Sequence, residues 1–437
     1  MLKSPKKMAL VFFPAYDWAI SPTHPEREER LLYTQDQIAE EGLLDIEGIR
    51  EYRPDIAVER DVERVHFCVP DVKSRTTESH MISAGGAIKA AKLVLSHEAD
   101  CAFALVRPPG HHSMRVVHGN RGFCNINIEA IMIEYIRDAF GVDRVAVVDT
   151  DCHHGDGTQD IYWHDPDTLF ISLHQDGRTL YPGSGFIDEL GGLGAYGTTL
   201  NVPLPPFTSD DGYLYVMDHL VLPVLEEFRP EIIVNSAGQD NHYSDPITNM
   251  MLTAQGYAEL NRKLSPHIAV LEGGYSIEGA LPYVNTGIIL AMAGMDFSHV
   301  KEPDRDLQSF KPQREIMDYC RELCGKLTVL WEHRRENAVR LRGVNRYDEQ
   351  ARTIFYDTDG ITEYQQERLR LCGDCPGSWV IDSSSAETGY RIRAVHVPRK
   401  SCPDCRKEAL GHFQGASKSD FDRVFLQDRQ DKIFETR

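Results

Sequence analysis

Residues 145–157 read VAVVDTDCHHGDG, an apolar run that stops abruptly in Asp149, Asp151, His153, His154 and Asp156. The run predicts a buried strand over 145–148, and beyond it side chains alternate between faces, so Asp149, Asp151 and His153 are expected to project to one side. Aspartate and histidine are hard-to-borderline ligands that suit zinc or a similar divalent ion, whereas buried carboxylates with no cation beside them are costly. For Asp-x-His alone, an acidic loop at a strand end is the plainer reading, and the rest of the chain must decide.

Outward from this stretch, short apolar runs recur between polar, helix-like segments, the pattern of an α/β protein with a mainly parallel sheet. Strands are predicted over 8–13, 65–69, 101–106, 145–148, 168–173, 232–234 and 267–271, and helices over 28–41, 83–97, 128–140, 211–228 and 253–264. Nearly every predicted strand runs into polar or glycine-rich sequence: RPPGHH at 107–112, HQDGRTLYPGSG at 174–185, NSAGQD at 235–240 and EGGY at 272–275. In open α/β sheets ligands bind beyond the carboxyl ends of the strands, so these clusters are expected to meet in one site. His111 and His112 stand in a rigid Pro/Gly frame, and with Asp149 and Asp156 available they match histidine–carboxylate dyads, in which the carboxylate sets the tautomer and raises the basicity of the ring. Together the pieces predict zinc held by Asp151, His153 and Asp240 with an open position, a histidine base beside it and the Tyr275 phenol facing it.

The 437 residues carry a formal charge of −20. It is unevenly spread: from Lys301 on there are 25 basic and 24 acidic residues, leaving about −21 on the first 300. An acidic body repels nucleic-acid phosphates and attracts cationic ligands such as polyamines or lysine-rich tails, so a nucleic-acid partner is disfavoured. Lys3, Lys6 and Lys7 before an apolar run imitate a signal peptide, but the run is short and Pro14 interrupts it, so it reads as a first strand. No run approaches the ~20 apolar residues that span a membrane, and no membrane association is expected. Cys68, Cys101, Cys124 and Cys152 lie singly in apolar surroundings, which favours a reducing, cytoplasmic location.

Residues 310–341 read as a charge-rich helical stretch, with Cys320 and Cys324 as ordinary helix-face residues. Farther on, Cys372-Gly-Asp-Cys375 and Cys402-Pro-Asp-Cys405 flank strand-like segments at 378–382 and 390–397. Two Cys-x-x-Cys turns complete a tetrahedral Cys₄ zinc site, and its closed shell would staple a small domain or a partner-binding surface rather than catalyse.

The stretches HPEREERL (24–31), RPPGHHS (107–113), GFCNIN (122–127), VDTDCHHGDG (148–157), SLHQDGRTLYPGSG (172–185), SAGQD (236–240) and LEGGY (271–275) resemble the histone deacetylase superfamily. They come in that family's order, closest to the class II-like and bacterial acetylpolyamine amidohydrolase branches. The resemblance implies an α/β arginase/deacetylase fold, a mainly parallel sheet with helices on both faces, joined here to a small C-terminal β-rich zinc-ribbon domain. The expected division is a catalytic domain over 1–305, a helical extension over 306–345 and a zinc-ribbon-like domain over 346–437.

Carried over residue by residue, Asp151, His153 and Asp240 become the ligands of the catalytic zinc. His112 becomes the general base and acid with Asp156 behind it, His111 an electrostatic partner with Asp149 behind it, and Tyr275 the donor to the substrate carbonyl. Asp149 and Ser172 would share an alkali-metal site, filled by potassium, with the backbone carbonyls of Asp151, His153 and Leu173. Gly122, Phe123, Tyr181 and Ile247 would line the substrate tunnel, and Arg27 would be an internal arginine. The implied reaction is hydrolysis of an acetylated or short-acylated amine, acetyl-lysine or an acetylated polyamine, and the resemblance leaves room for a homo-oligomer. Gln239 and the loop Asn241-His-Tyr243 depart from the family pattern, so the mouth is expected to differ. Two other readings compete: a ureohydrolase of the same fold, which needs a second Asp/His ligand set, and a non-catalytic scaffold acting through its zinc ribbon.

Overall fold

The computed structural model describes residues 2–303, 305, 310, 313–342 and 346–437. Within the first 300 residues the strands are β1 Lys3–Phe13, β2 Glu47–Tyr52, β3 Phe67–Cys68, β4 Cys101–Val106, β5 Val116–Val117, β6 Val145–Asp149, β7 Thr168–Gln175, β8 Thr199–Leu204, β9 Ile232–Ala237 and β10 Ile268–Leu271. Eight of them form one sheet in the order β2-β1-β4-β10-β9-β6-β7-β8, and every neighbouring pair is parallel. Strand alternation divides the apolar side chains between two cores. Cys101, Phe103 and Leu105 of β4 with Ala146 and Val148 of β6 enter one; Ala102, Ala104 and Val106 with Val145 and Val147 enter the other. The first core is closed by the helices Leu32–Glu40, Ala254–Leu264, Leu281–Met292 and Arg314–Glu332, the second by Glu78–Leu95 and Ile128–Phe140. This is the expected fold, with helices on both faces of a parallel sheet.

Three elements differ from expectation. The predicted strand over 65–69 shrinks to β3, which pairs only with β5 outside the main sheet. Strands β2 and β8 were not anticipated; they are the two edges of the sheet, where a strand carries a single ladder and tolerates Arg50, Asn201 and Pro203. The helix over 211–228 is broken into Asp210–Val216 and Leu222–Phe228 by a π-helical turn at Met217–Val221. Among the described residues no helix is long and apolar enough to cross a membrane.

Of the 306–345 extension, residues 306–309, 311, 312 and 343–345 lie outside the described residues. The rest holds the helices Arg314–Glu332 and Arg334–Arg342, and Cys320 and Cys324 are buried in the first core. Beyond it a second sheet runs in sequence order: β11 Tyr347–Tyr356, β12 Ile361–Arg370, β13 Ser378–Ser385, β14 Tyr390–Val397, β15 Arg423–Asp428 and β16 Ile433–Thr436. Its pairs are antiparallel except β14 with β15. The connection between those two carries the helix Pro403–Gly415, whose Ala409 and Phe413 pack on Val380, Val395 and Leu426. The opposite face, through Leu369, Trp379, Ile381 and Phe425, covers Phe67, Val69 and Val116 at the small β3–β5 ladder, so the two sheets share a hydrophobic contact.

Cys372 and Cys375 lie between β12 and β13, and Cys402 and Cys405 open the helix Pro403–Gly415, so the two pairs flank the β13–β14 hairpin and the second also caps a helix. The Cys372 and Cys402 sulfurs are 3.9 Å apart and those of Cys375 and Cys405 3.5 Å. A disulfide needs ~2.05 Å; the edge of a tetrahedron with Zn–S bonds of ~2.3 Å is ~3.8 Å, and all four sulfurs fit one. Backbone hydrogen bonding at Cys405 lowers the Cys402 thiol to about 7, toward the thiolate a metal requires, whereas burial raises the Cys375 and Cys405 thiols.

Candidate active site

Four adjacent strands in the middle of the sheet, β4-β10-β9-β6, deliver the chemistry at their carboxyl ends. His111 and His112 follow β4, Tyr275 follows β10, Asp240 follows β9, and Asp149 ends β6 with Asp151, His153 and Asp156 just beyond it. Adjacent parallel strands end side by side, which is why motifs as far apart in the chain as His111 and Tyr275 converge.

One ligand atom from each of Asp151, His153 and Asp240 lies within 4.8 Å of the others, and all three residues are buried. Asp151 Oδ2 accepts the Gly273 N–H at 2.7 Å and Asp240 Oδ1 accepts the Cys152 N–H at 2.8 Å. The remaining oxygens close on His153 Nδ1, Asp151 Oδ1 at 3.2 Å and Asp240 Oδ2 at 2.8 Å. A Cβ on Gly273 would stand 2.4 Å from Asp240 Oδ2, so the EGGY segment can approach only as glycine. Burial opposes charge on His153, yet Asp240 and Asp151 outweigh it and hold its pKa up at about 10. The cluster therefore gathers a cation. A divalent ion meets that demand and leaves the imidazole neutral as a ligand, and three N/O donors with an open position fit catalytic zinc.

Asp149 stands apart from this cluster, unlike the first expectation from alternation: the strand ends at Asp149, and the chain turns before Asp151. Its Oδ2 pairs with His111 Nδ1 at 3.0 Å and its Oδ1 accepts the Asp151 N–H at 3.0 Å. Ser172 faces Asp149 in the β6–β7 register, with its hydroxyl on His174 Nδ1 at 2.8 Å. Burial works against a charge on His111, but Asp151 and Asp149 raise its pKa well above the ordinary value.

His112 Nδ1 donates to Asp156 Oδ1 at 2.7 Å. Burial and the neighbouring His111 press its pKa down to about 3 against the pull of Asp156, so the ring is neutral and its other nitrogen carries a free lone pair. The far oxygen of Asp156 accepts from Arg121, Nε at 3.1 Å and Nη2 at 2.5 Å. Although burial favours the neutral acid, Arg121 and then His112 hold the Asp156 carboxyl far below the usual range.

Aromatic rings frame this group. Phe123 sits edge-on to Tyr275 with centroids 5.6 Å apart, and Tyr181 edge-on to His112 at 5.2 Å. Gly122 has φ +53°, and a Cβ there would lie 2.4 Å from His112 Cδ2, so the position between His112 and Phe123 has room only for glycine. The Ile247 N–H is held by Asp245 Oδ1 at 3.0 Å, and Asp245 Oδ2 takes the Tyr275 N–H at 2.8 Å, which ties the Ile247 loop to the tyrosine. His154 bonds Ser184 and Gln159 instead of entering the site.

Sequence reasoning missed several supporting residues. The internal arginine is Arg30, not Arg27: Arg27 pairs with Glu29 at the surface, whereas Arg30 is fully buried, pairs with Glu26 at 2.7 Å and donates to the carbonyls of Gly274 and Glu272. HPEREERL offers both arginines, and only the i,i+4 spacing of Glu26 and Arg30 could have pointed to the second. Glu272 Oε2 accepts the Gly110 and His111 N–H groups at 2.7 and 3.0 Å and so aligns the histidine pair. Asp357, in the turn between β11 and β12, accepts from Tyr181 Oη at 3.1 Å, and no local signal could link residues 176 positions apart.

Residues 68–289 match the histone deacetylase domain model. The chain is 46% identical over 314 residues to a probable deacetylase of Archaeoglobus fulgidus, a match spanning 66% of this chain and 86% of that one. It is 39% identical over 258 residues to a histone deacetylase-like amidohydrolase of Pseudomonas aeruginosa, spanning 57% of this chain and 67% of the relative. The crystal structure of the HDA15 HD domain aligns with a TM-score of 0.65 at 25% identity, over 77% of this chain and 98% of that one. The histidine pair, the Asp151–His153–Asp240 cluster and Tyr275 all fall within the span matched by the domain model, and on that span the chain belongs to the histone deacetylase family.

Proposed function

We propose that this chain is a zinc-dependent amidohydrolase that removes acetyl or short acyl groups from amines, acetyl-lysine or an acetylated polyamine. The observation that carries the reading is the juxtaposition of a buried Asp/His/Asp cluster with two histidine–carboxylate dyads. Bound at Asp151, His153 and Asp240, zinc would supply Lewis-acid polarisation of the amide carbonyl and acidify water. His112, neutral and oriented by Asp156, takes the proton of the attacking water and passes it to the leaving amine. His111, kept charged by Asp149 and Asp151, balances the negative charge that develops, and the Tyr275 hydroxyl donates to the same oxygen. Phe123 and Tyr181, with Gly122 next to Phe123 and Ile247 in the loop tied to Tyr275, suit an aliphatic chain ending in a neutral amide.

An alkali-metal site at Asp149 and Ser172 belongs to this proposal; their pairing across β6 and β7 supports it. The test is a panel of acetyl-lysine peptides, acetylputrescine, acetylspermidine and longer acyl-lysines, compared by kcat/KM before and after chelation and zinc restoration. Zinc-restored hydrolysis of one class is expected. No hydrolysis by the zinc-loaded protein across the panel would sink the reading.

A further inference from the structure

The C-terminal sheet reaches the segment beside His112. The turn between β11 and β12, Asp357-Thr-Asp-Gly360, lies against residues 119–122. Asp359 Oδ2 accepts the Asn120 N–H at 2.7 Å, Asp357 Oδ1 accepts the Gly122 N–H at 3.0 Å, and the Phe355 carbonyl accepts from Arg121 Nη1 at 2.5 Å. At one end of that segment a Cβ on Gly119 would stand 2.8 Å from Asp359 Oδ2; at the other, a Cβ on Gly122 would strike His112. Four residues are thus clamped between the hairpin and the histidine. Met114, Ile354 and Tyr356 form a buried apolar contact beside the clamp, and Tyr356 Oη donates to the Val116 carbonyl at 2.8 Å.

Arg121 is the side chain that passes this clamp on. It is 12% exposed, donates twice to Asp156 Oδ2, and lies 5.5 Å from the centre of the Tyr181 ring. Two guanidinium N–H groups converge on one oxygen of Asp156 in charge-assisted bonds, and the other oxygen of this carboxylate orients the imidazole of His112.

We propose that Arg121 is a positioning residue for the general base, held in register by the β11–β12 turn, so that the C-terminal sheet is a working part of the active site. The chain of contacts runs Phe355 carbonyl, Arg121, Asp156, His112. The kinetic part of the inference rests on the deacetylase reading, because it assigns His112 as the base.

The test uses full-length, zinc-loaded protein, with an acetyl-lysine peptide and acetylputrescine as probes. In Arg121→Gln, kcat is expected to fall about 10- to 100-fold, the range for lost outer-shell partners, with KM little changed. Guanidinium at a sub-denaturing concentration should restore part of the kcat of Arg121→Gly and none of that of Arg121→Gln, whose side chain still fills the space. The second readout is the downfield proton signal of the His112 Nδ1–H, assigned by its loss in His112→Ala; it should move in Arg121→Gln. Asp357→Asn, which keeps the shape of the clamp and removes its charge, should lower kcat and shift the signal in the same direction by less. It decides the matter should the Arg121 variants fail to fold. An unmoved signal with near wild-type kcat overturns the proposal. Absence of hydrolysis by the wild type would sink the deacetylase reading instead, and the His112 signal alone would then decide the role of Arg121.

Discussion

Each polar side chain at the site has its role set by its nearest neighbours. His111 and His112 are adjacent and equally buried, yet one is held charged by two carboxylates and the other is pressed neutral, with a pKa of about 3, by burial and its charged neighbour. Two groups of one type with separated pKa values can serve as electrostatic partner and base respectively. Tyr275 completes the set, with burial pushing its phenol well above its ordinary pKa, so it stays a donor across the working range. Replacing Tyr275 with Phe should lower kcat on the order of 10²-fold, because one donor to the developing oxyanion is lost. Unchanged turnover in steady-state assays would remove the hydroxyl from the mechanism. These residues were legible in the sequence because each lies within a few positions of a strand end. The neighbours that tune them were less so, since Arg121 and Asp156 are 35 positions apart.

At the scale of elements, the helix Ile128–Phe140 shows how a buried histidine fastens a junction. Its N-cap Asn127 accepts from the Ala130 N–H, while the Asn127 N–H donates to His66 Nε2 at 2.8 Å and His66 Nδ1 donates to the Met114 carbonyl at 2.8 Å. Only the neutral ring can make both bonds, and burial holds its pKa down at about 4 against an ordinary 6.5. Because the folded value is depressed, the unfolded chain binds the proton first. The stabilisation is complete above pH 6.5 and is lost as pH falls through 4, amounting to about 3 kcal/mol. Thermal unfolding followed between pH 7 and 4 should show the melting temperature falling more steeply in wild type than in His66→Gln, whose side chain has no charge to acquire; equal slopes would contradict the assignment. His80, held near 4 chiefly by burial, adds to the trend in both proteins. The central strands were readable because both faces are buried and their apolar runs are unbroken. The edge strands β2 and β8 were not, because an edge needs no such run.

For the whole molecule, two candidate metal centres in two sheets are joined through one interface. The Cys₄ cluster brings the β12–β13 connection to the start of the helix Pro403–Gly415, and the same sheet carries the β11–β12 hairpin that touches Arg121, Gly122 and Tyr181. Metal analysis of thiol-protected protein should give about two zinc per chain, one removable by mild chelation and one held by the cysteines. Cys402→Ser should reduce that to one and lower the melting temperature, because the helix loses the ion that joins its start to the β12–β13 connection. Two zinc in the variant would show that the second ion does not need Cys402.

The amino-acid sequence by itself determined the parallel α/β core, the Asp/His/Asp cluster, the histidine pair, the tyrosine and the four cysteines. All of these depend on short-range periodicity and on polar residues placed directly after apolar runs. Only the tertiary structure decided that Arg30 rather than Arg27 lies inside, that the second cysteine pair caps a helix, and that the C-terminal hairpin meets the segment beside His112. Those outcomes depend on which surfaces pack together when the sheets close, and side chains far apart in the chain leave no local pattern of that pairing.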